Sequence, residues 1–296
     1  MSTNLLIQLL FGSLAVVMAG LGLSLEVADF RRLWFEKKAA ATGIFIQVLL
    51  LPTVAFAIAV GMRLTPPFAL GLMLLAASPG SISSNLYSYL FGGNVALNVS
   101  LTGINTLLST FTLPLITGLA FAYFAVPGAV AIPPGKIMEA VAMILVPVAL
   151  GMLVRHRAPS WAERLGKPIK VASAVLLLVL ATAAIVNEWT ALTQRLPQLG
   201  ISVLMFNMAS LGLGFWVSRA MRLDTPTTLA ITFQVCIHSA VLAIYVALTV
   251  LKDPLIATPA ALYSVTMTLT GLSFGVLYRR RARRRQATLA SGALMR

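Results

Sequence analysis

Apolar runs separated by short polar connections fill the chain. Nine of them are long enough, at about 20 to 30 residues and 1.5 Å per residue, to cross a hydrocarbon core of about 30 Å. They cover roughly 3–25, 38–61, 68–90, 94–125, 136–154, 168–187, 197–218, 226–251 and 255–278. Pro66-Pro67, Pro133-Pro134 and Asp253-Pro254 mark three of the connections. The pattern predicts an all-α polytopic membrane protein with about nine transmembrane helices.

One run is interrupted. Ala77-Ser78-Pro79-Gly80-Ser81-Ile82-Ser83-Ser84-Asn85 places a Pro-Gly pair, four serines and an asparagine inside a stretch that is otherwise apolar from Phe68 to Leu90. A bilayer core has no water for exposed backbone groups, so such a segment is tolerated only where it faces protein or a solvated cavity. It reads as a discontinuous helix whose two ends aim carbonyls and amides at one spot. The plainer reading is a Pro-kinked helix whose serines bond their own backbone.

Other polar residues fall at similar depth. Gln47 lies in the second run, and Asn98, Thr102, Asn105 and Ser109 share one face of the fourth, at spacings of four, three and four. Gln234, His238 and Ser239 lie in the eighth. These groups sit on the order of 10–15 Å from the cytoplasmic surface at 1.5 Å per residue. Singly, each is accounted for as interhelical glue, worth about 0.6 kcal/mol per bond. As a set beside a Pro-Gly break, they predict a binding site.

Charge fixes the expected orientation. Of 22 Lys and Arg residues, 18 fall on one side, in the connections at 31–38, 155–170 and 219–222 and in the tail from Arg279; Arg63, Lys136, Arg195 and Lys252 fall on the other. The positive-inside rule then predicts a cytoplasmic C-terminus and, with nine spans, an external N-terminus. Met1 to Leu10 carry no basic residue, so the first run is expected to stay as a span. The net charge of +14 is explained by this topology and by contact of the arginine-rich tail, 279–296, with anionic lipid; no nucleic-acid partner is expected.

Several chemistries are excluded by what is missing. Only 10% of residues are charged, far below the roughly 25% of soluble domains. The acidic residues Glu26, Asp29, Glu36, Glu139, Glu163, Glu188, Asp224 and Asp253 are all interfacial or in loops. One cysteine, Cys236, and two histidines, His156 and His238, give neither an intrachain disulfide nor a zinc motif. His238 has no acid near it for a hydrolytic triad, so no enzyme is expected and no catalytic residue is assigned. Gly271-Leu272-Ser273-Phe274-Gly275 suits close helix packing within the chain.

The sequence resembles the bile acid:sodium symporter family over nearly its whole length. The resemblance rests on Gly20-Leu21-Gly22-Leu23-Ser24-Leu25 with Asp29-Phe30-Arg31-Arg32, and on Gln47 with Leu51-Pro52. It continues through Ser78-Pro79-Gly80 to Ser84-Asn85, then Gly93-Asn94-Val95-Ala96-Leu97, Thr102 and Pro114. It implies two inverted repeats, each with one discontinuous helix, crossing at the site, the second break lying around Gln234 to Ser239. It further implies a single transporter domain over 1–278, with a core (approximately 38–125 and 197–278) moving against a panel (approximately 1–37 and 126–196). Bacterial members commonly have ten spans, and this chain matches the nine-span pattern of animal members.

By resemblance, one sodium position uses Ser84, Asn85, Asn98 and Thr102 with a side chain from residue 234. The second uses Gln47, the carbonyls of Val235 and Ile237, and side chains at 234 and 238. Substrate, an organic anion that is either bile acid-like or a small carboxylate, is expected beside the crossing on Pro79, Gly80, Ser81, Asn105, Ser109, His238 and Ser239. No cofactor is expected beyond sodium as the coupling ion. Three departures stand out: the family Glu is Gln234, its second Gln is His238, and Phe233 to Ser239 contains no glycine. Loss of a carboxylate removes an attraction worth several kcal/mol at about 2.4 Å and an effective dielectric near 20. The expected function is therefore secondary transport of organic anions across a bacterial inner membrane, with sodium coupling weakened. A proton carried on His238, which ordinarily titrates near pH 6.5, uncoupled transport, and a non-transporting receptor are the alternatives.

Overall fold

The computed structural model describes residues 19, 20, 22, 23, 35–124, 134–161 and 196–294. The predicted first span, apart from those four residues, and the predicted sixth lie outside them, as do Glu26, Asp29, Glu163 and Glu188.

Every element among the described residues is helical. In chain order they are α1 (Lys37–Gly61), α2 (Pro66–Ala77), α3 (Ser83–Phe91), α4 (Val95–Phe124) and α5 (Pro134–Arg157). After the gap come α6 (Leu196–Ala220), α7 (Thr225–Cys236), α8 (Ala240–Tyr245), which runs on into a π turn over Val246–Val250, and α9 (Pro254–Leu294). In place of nine whole spans, four helices among the described residues are both long and apolar enough to cross a bilayer: Lys37–Gly61, Val95–Phe124, Pro197–Ala220 and Pro254–Arg281. Two predicted spans fall short because each is split. The third becomes α2 and α3, and the eighth becomes α7 and α8, so neither contains one uninterrupted helix of spanning length.

α4 shows how the membrane sets the pattern. Asn98, Thr102, Asn105 and Ser109 are buried, while Phe111, Leu115, Leu119 and Tyr123, spaced by four, are exposed. Polar inside and apolar outside is the reverse of a soluble helix, and it follows from a solvent that cannot hydrogen-bond. α2 lies deepest, with every residue from Phe68 to Ala77 buried. Gly71 permits this, since a Cβ there would sit 2.2 Å from the Ile256 carbonyl oxygen of α9. The Gly271 and Gly275 pair likewise packs inside the chain, receiving Tyr87 and Phe91 of α3.

α1 is continuous but widens to a π turn over Ile46–Leu50. The cause is Pro52, which lacks an N–H and whose ring crowds the preceding turn. The Leu51 N–H donates to the carbonyl five residues back, at Ile46. Gln47 is thereby carried inward at the level of the break between α2 and α3.

The two halves repeat with a constant offset of 159 residues. Lys37–Gly61 maps on Leu196–Ala220, Pro66–Ala77 on Thr225–Cys236, and Val95, which starts α4, on Pro254, which starts α9. Even the turns coincide: Arg63 (φ 49°) and Arg222 (φ 54°) both take the left-handed conformation that ends a helix. The sequence carries the signal as Met62-Arg63-Leu64 and Met221-Arg222-Leu223, each followed by a proline three residues on.

Candidate functional site

The two breaks meet. Ser78 leaves α2 in an extended conformation (φ −70°, ψ 144°), and Ile237 leaves α7 likewise out of the helical region (φ −108°, ψ 85°). Gly80 and His238 form an antiparallel β-bridge. The Ser81 N–H donates to the Ile237 carbonyl at 2.7 Å, and the Ser239 N–H donates to the Pro79 carbonyl at 2.8 Å. Backbone groups that unwinding would strand at membrane depth thus satisfy one another, which is the condition for a break there. Gly80 is required at the crossing, because a Cβ would lie 2.5 Å from the Gln234 carbonyl oxygen and 2.2 Å from its Nε2.

Beneath the crossing, α3, α4 and α7 bring Ser84, Asn98, Thr102 and Gln234 into one cluster, each no more than 1% exposed. Ser84 Oγ is 2.8 Å from Asn98 Oδ1 and 2.7 Å from Gln234 Oε1. Thr102 Oγ1 is 2.9 Å from the Asn98 carbonyl and 2.9 Å from Gln234 Oε1. Asn98 Nδ2 lies within hydrogen-bond distance of three acceptors, the carbonyls of Ser84 and Ala230 and Ser88 Oγ, which share its two hydrogens. Asn85, expected among these groups, is not bonded to them. It is half-buried, and its Oδ1 has no partner.

On the other side of the break, the Ser78 carbonyl receives two side chains. Gln47 Nε2 donates to it at 2.9 Å, and His238 Nδ1 lies 3.2 Å away. A carbonyl only accepts, so Nδ1 carries the imidazole proton and Nε2 keeps a lone pair. That Nε2 and Gln47 Oε1 are buried without partners. The ring of His238 packs against Phe206 and Tyr263, at centroid distances of 5.6 and 5.5 Å. The Tyr263 hydroxyl donates to the Cys236 carbonyl at 2.7 Å and so caps the open end of α7.

The remaining predicted residues are placed as follows. Pro79, Gly80, Val235 and Ile237 are buried and Ser81 and Ser239 half-buried. Ser81 Oγ accepts from the Ser83 N–H, ordering the entry to α3. Ser109 donates to the Thr106 carbonyl within α4. Asn105 is buried with neither end of its amide partnered, so both its donor and its acceptor capacity are unused. Sequence reasoning missed Ser88 and Tyr263, and it placed Ser78 in the break, with carbonyls aimed at one spot, without assigning it to the site. Ser88 stands four residues after Ser84 on the same face.

Three carboxylates, those of Glu36, Asp224 and Asp253, are bonded away from the cluster. Glu36 accepts from Asn94 Nδ2, Asp224 caps α7 through the Thr227 N–H, and Asp253 accepts from the Leu255 N–H. The site is a neutral, multi-oxygen cluster at a crossing of two broken helices.

Such crossed half-helices, buried within an all-α bundle, are the architecture of membrane transporters that bind their cargo near mid-membrane. The description "Sodium Bile acid symporter family" matches residues 12–195, and the chain belongs to that family. Its members are transporters and not enzymes.

Among relatives, a probable chloroplastic sodium/metabolite cotransporter of Oryza sativa subsp. japonica is 31% identical over 268 residues, covering 90% of this chain and 63% of its own. An uncharacterized sodium-dependent transporter of Bacillus subtilis is 27% identical over 281 residues, covering 95% of this chain and 86% of its own. The ileal sodium/bile acid cotransporter of Oryctolagus cuniculus is 31% identical over 214 residues, covering 70% and 59% respectively. The chain thus spans less than two thirds of the length of the plant and rabbit relatives.

Proposed function

We propose that the protein is a secondary transporter of small organic anions, working by alternating access in a bacterial inner membrane. The observation that carries this reading is the bonded crossing of the two breaks, walled by buried polar groups that carry no charge. The cargo site is assigned to Pro79, Gly80, Ser81, Asn105, Ser109, His238 and Ser239, where the unpartnered amide of Asn105 is the best supported contact. The constant offset of 159 residues and the antiparallel bridge support two inverted repeats. These form a core over about 38–125 and 197–278, which moves against a panel over about 1–37 and 126–196. Ser84, Asn98, Thr102 and Gln234 correspond to one sodium position, and Gln47, Val235, Ile237 and His238 to the other. Without a carboxylate, neutral oxygens alone offset the dehydration of sodium, so affinity at the first position is low.

The test is uptake into proteoliposomes of a panel of labelled small carboxylates and bile acids, under sodium and proton gradients imposed separately. Saturable uptake of at least one carboxylate is expected, with little acceleration by an inward sodium gradient. Binding of such an anion without any uptake would favour a receptor and overturn the transport reading. Topology is checked by single cysteines in a Cys236→Ser background. Ser2→Cys is expected to react with an impermeant reagent from outside the cell and Ser291→Cys only after permeabilisation. Equal labelling of both would remove the nine-span arrangement.

A further inference from the structure

The hydrogen atoms of the buried cluster do not add up while Gln234 Oε1 faces it. Ser84 Oγ and Thr102 Oγ1 each make two contacts of 2.7–2.9 Å, all with oxygen: Asn98 Oδ1 and Gln234 Oε1 for the serine, the Asn98 carbonyl and Gln234 Oε1 for the threonine. Four oxygen–oxygen contacts are then served by two hydroxyl protons. Meanwhile Gln234 Nε2, with two N–H donors, is buried with no acceptor.

Asn98 cannot supply the missing protons. Its Nδ2 is fixed as the nitrogen end by the carbonyls of Ser84 and Ala230, both 3.2 Å away, which only accept, and Ser88 Oγ, 2.5 Å away, shares its two hydrogens with them, so none is left for Ser84 Oγ or Gln234. Asn98 Oδ1 therefore takes the Ser84 proton. Thr102, one helical turn after Asn98, gives its own proton to the Asn98 carbonyl, the usual bond of a threonine inside a helix. Neither hydroxyl then has a proton left for Gln234.

The two ends of a glutamine amide have the same shape, so their partners decide which is nitrogen. Turned by half a rotation, Nε2 donates one hydrogen to Ser84 Oγ and one to Thr102 Oγ1. All four contacts then hold one proton each, and no donor is left over. We infer that Gln234 occupies this orientation and that its amide group closes the first sodium position, its two N–H groups pointing at the oxygens that a sodium ion would otherwise draw together. Oε1 is thereby turned toward Gly80 and the crossing, beside which Gln47 Oε1 is also unpartnered.

The consequence is a specificity determinant at one residue. The set Ser84, Asn98, Thr102 and Gln234 is complete without a cation, whereas a glutamate at 234 would return four oxygen–oxygen contacts to two protons and require one. The inference deepens the transport reading, whose coupling position it concerns, but its test needs no transport.

The test is equilibrium binding of radiolabelled sodium to the purified protein in detergent, with the thermal unfolding midpoint followed in sodium against choline at equal ionic strength. The proteins are wild type, Thr102→Val, Gln234→Glu and the double variant. Thr102→Val is expected to leave any sodium affinity of the wild type within twofold, because Thr102 is not a ligand there. Absence of sodium binding in the wild type supports the same conclusion. Gln234→Glu is expected to acquire a sodium-dependent rise in midpoint, and Thr102→Val is expected to weaken that new affinity at least tenfold. A tenfold or greater loss of wild-type sodium affinity in Thr102→Val overturns the inference, and Ser84→Ala supplies the same comparison independently of whether Gln234→Glu folds. If no anion is carried in proteoliposomes, the transport reading falls while this sodium result stands.

Discussion

Gly80→Ala is expected to reduce uptake more than tenfold and to lower the thermal unfolding midpoint. Gly80 sits where the two breaks cross, and its backbone pairs with that of His238. An added methyl would meet the near end of the Gln234 side-chain amide at 2.2 Å, its Cδ at 2.5 Å and the Gln234 backbone carbonyl oxygen at 2.5 Å. The carbonyl is part of α7 and cannot swing aside, so α7 must move away from α2 and α3. Overpacking of this kind costs about 1–3 kcal/mol in stability. The larger effect falls on transport, because the same displacement pulls Ser81 N–H from Ile237 and Ser239 N–H from Pro79. Gly118→Ala is the control, since no atom lies within 4 Å of the Cβ it would add. Initial uptake rates and unfolding midpoints for the two variants decide the matter. Equal behaviour would mean that the crossing tolerates separation.

Asn98→Ala should be among the most destabilising single changes in the described residues. Its side chain joins three elements: α3 through the Ser84 carbonyl, Ser84 Oγ and Ser88 Oγ, α4 on which it sits, and α7 through the Ala230 carbonyl. Truncation strands several buried groups at once, and each unsatisfied partner costs about 1–3 kcal/mol. A total loss on the order of 3 kcal/mol or more is expected, as a lowered midpoint in detergent. Asn85→Ala is the comparison. Its carbonyl oxygen has no partner to lose, so its midpoint should change little. A midpoint for Asn98→Ala within error of wild type would show that the cluster does not hold the three helices together.

The cluster that Asn98 holds together reflects an economy of charge. At membrane depth an uncompensated carboxylate is costly, and none of Glu36, Asp224 and Asp253 is bonded to the buried cluster. Oxygen and nitrogen ligands come from amides, hydroxyls and backbone carbonyls. Gln47 and His238, which share the Ser78 carbonyl at the break, each keep one buried atom without a partner.

Much was legible in the sequence because it depends on local chemistry. Apolar runs and Pro-containing connections predicted helices that reappear as α4 at Val95–Phe124, one residue from the expected bounds at either end, and as the start of α9 at Pro254. Pro79-Gly80 among serines predicted a break, since Pro lacks a donor and Gly tolerates close approach. The spacing of Asn98, Thr102, Asn105 and Ser109 gave one face, and that face is buried. Family resemblance placed Gln234 near Ser84 and Thr102, and the hydroxyls meet it.

Tertiary structure decided the rest. Phe233 to Ser239 has no glycine or proline to open a helix, yet α7 ends at Cys236. The opening is supplied from outside, by the Pro79 carbonyl, the Ser81 N–H and the Tyr263 hydroxyl, which take up backbone groups that the helix would otherwise bond itself. Whether Asn85 joins the cluster depends on the direction in which α3 leaves the break, which neighbours in sequence do not fix. Residues 84 and 234 are 150 positions apart, and only their contact shows that two hydroxyl protons cannot serve four oxygen contacts. Hydrophobicity and local backbone preference act over a few residues and are written in the sequence, whereas the pairing of buried polar groups is a property of distant segments brought together.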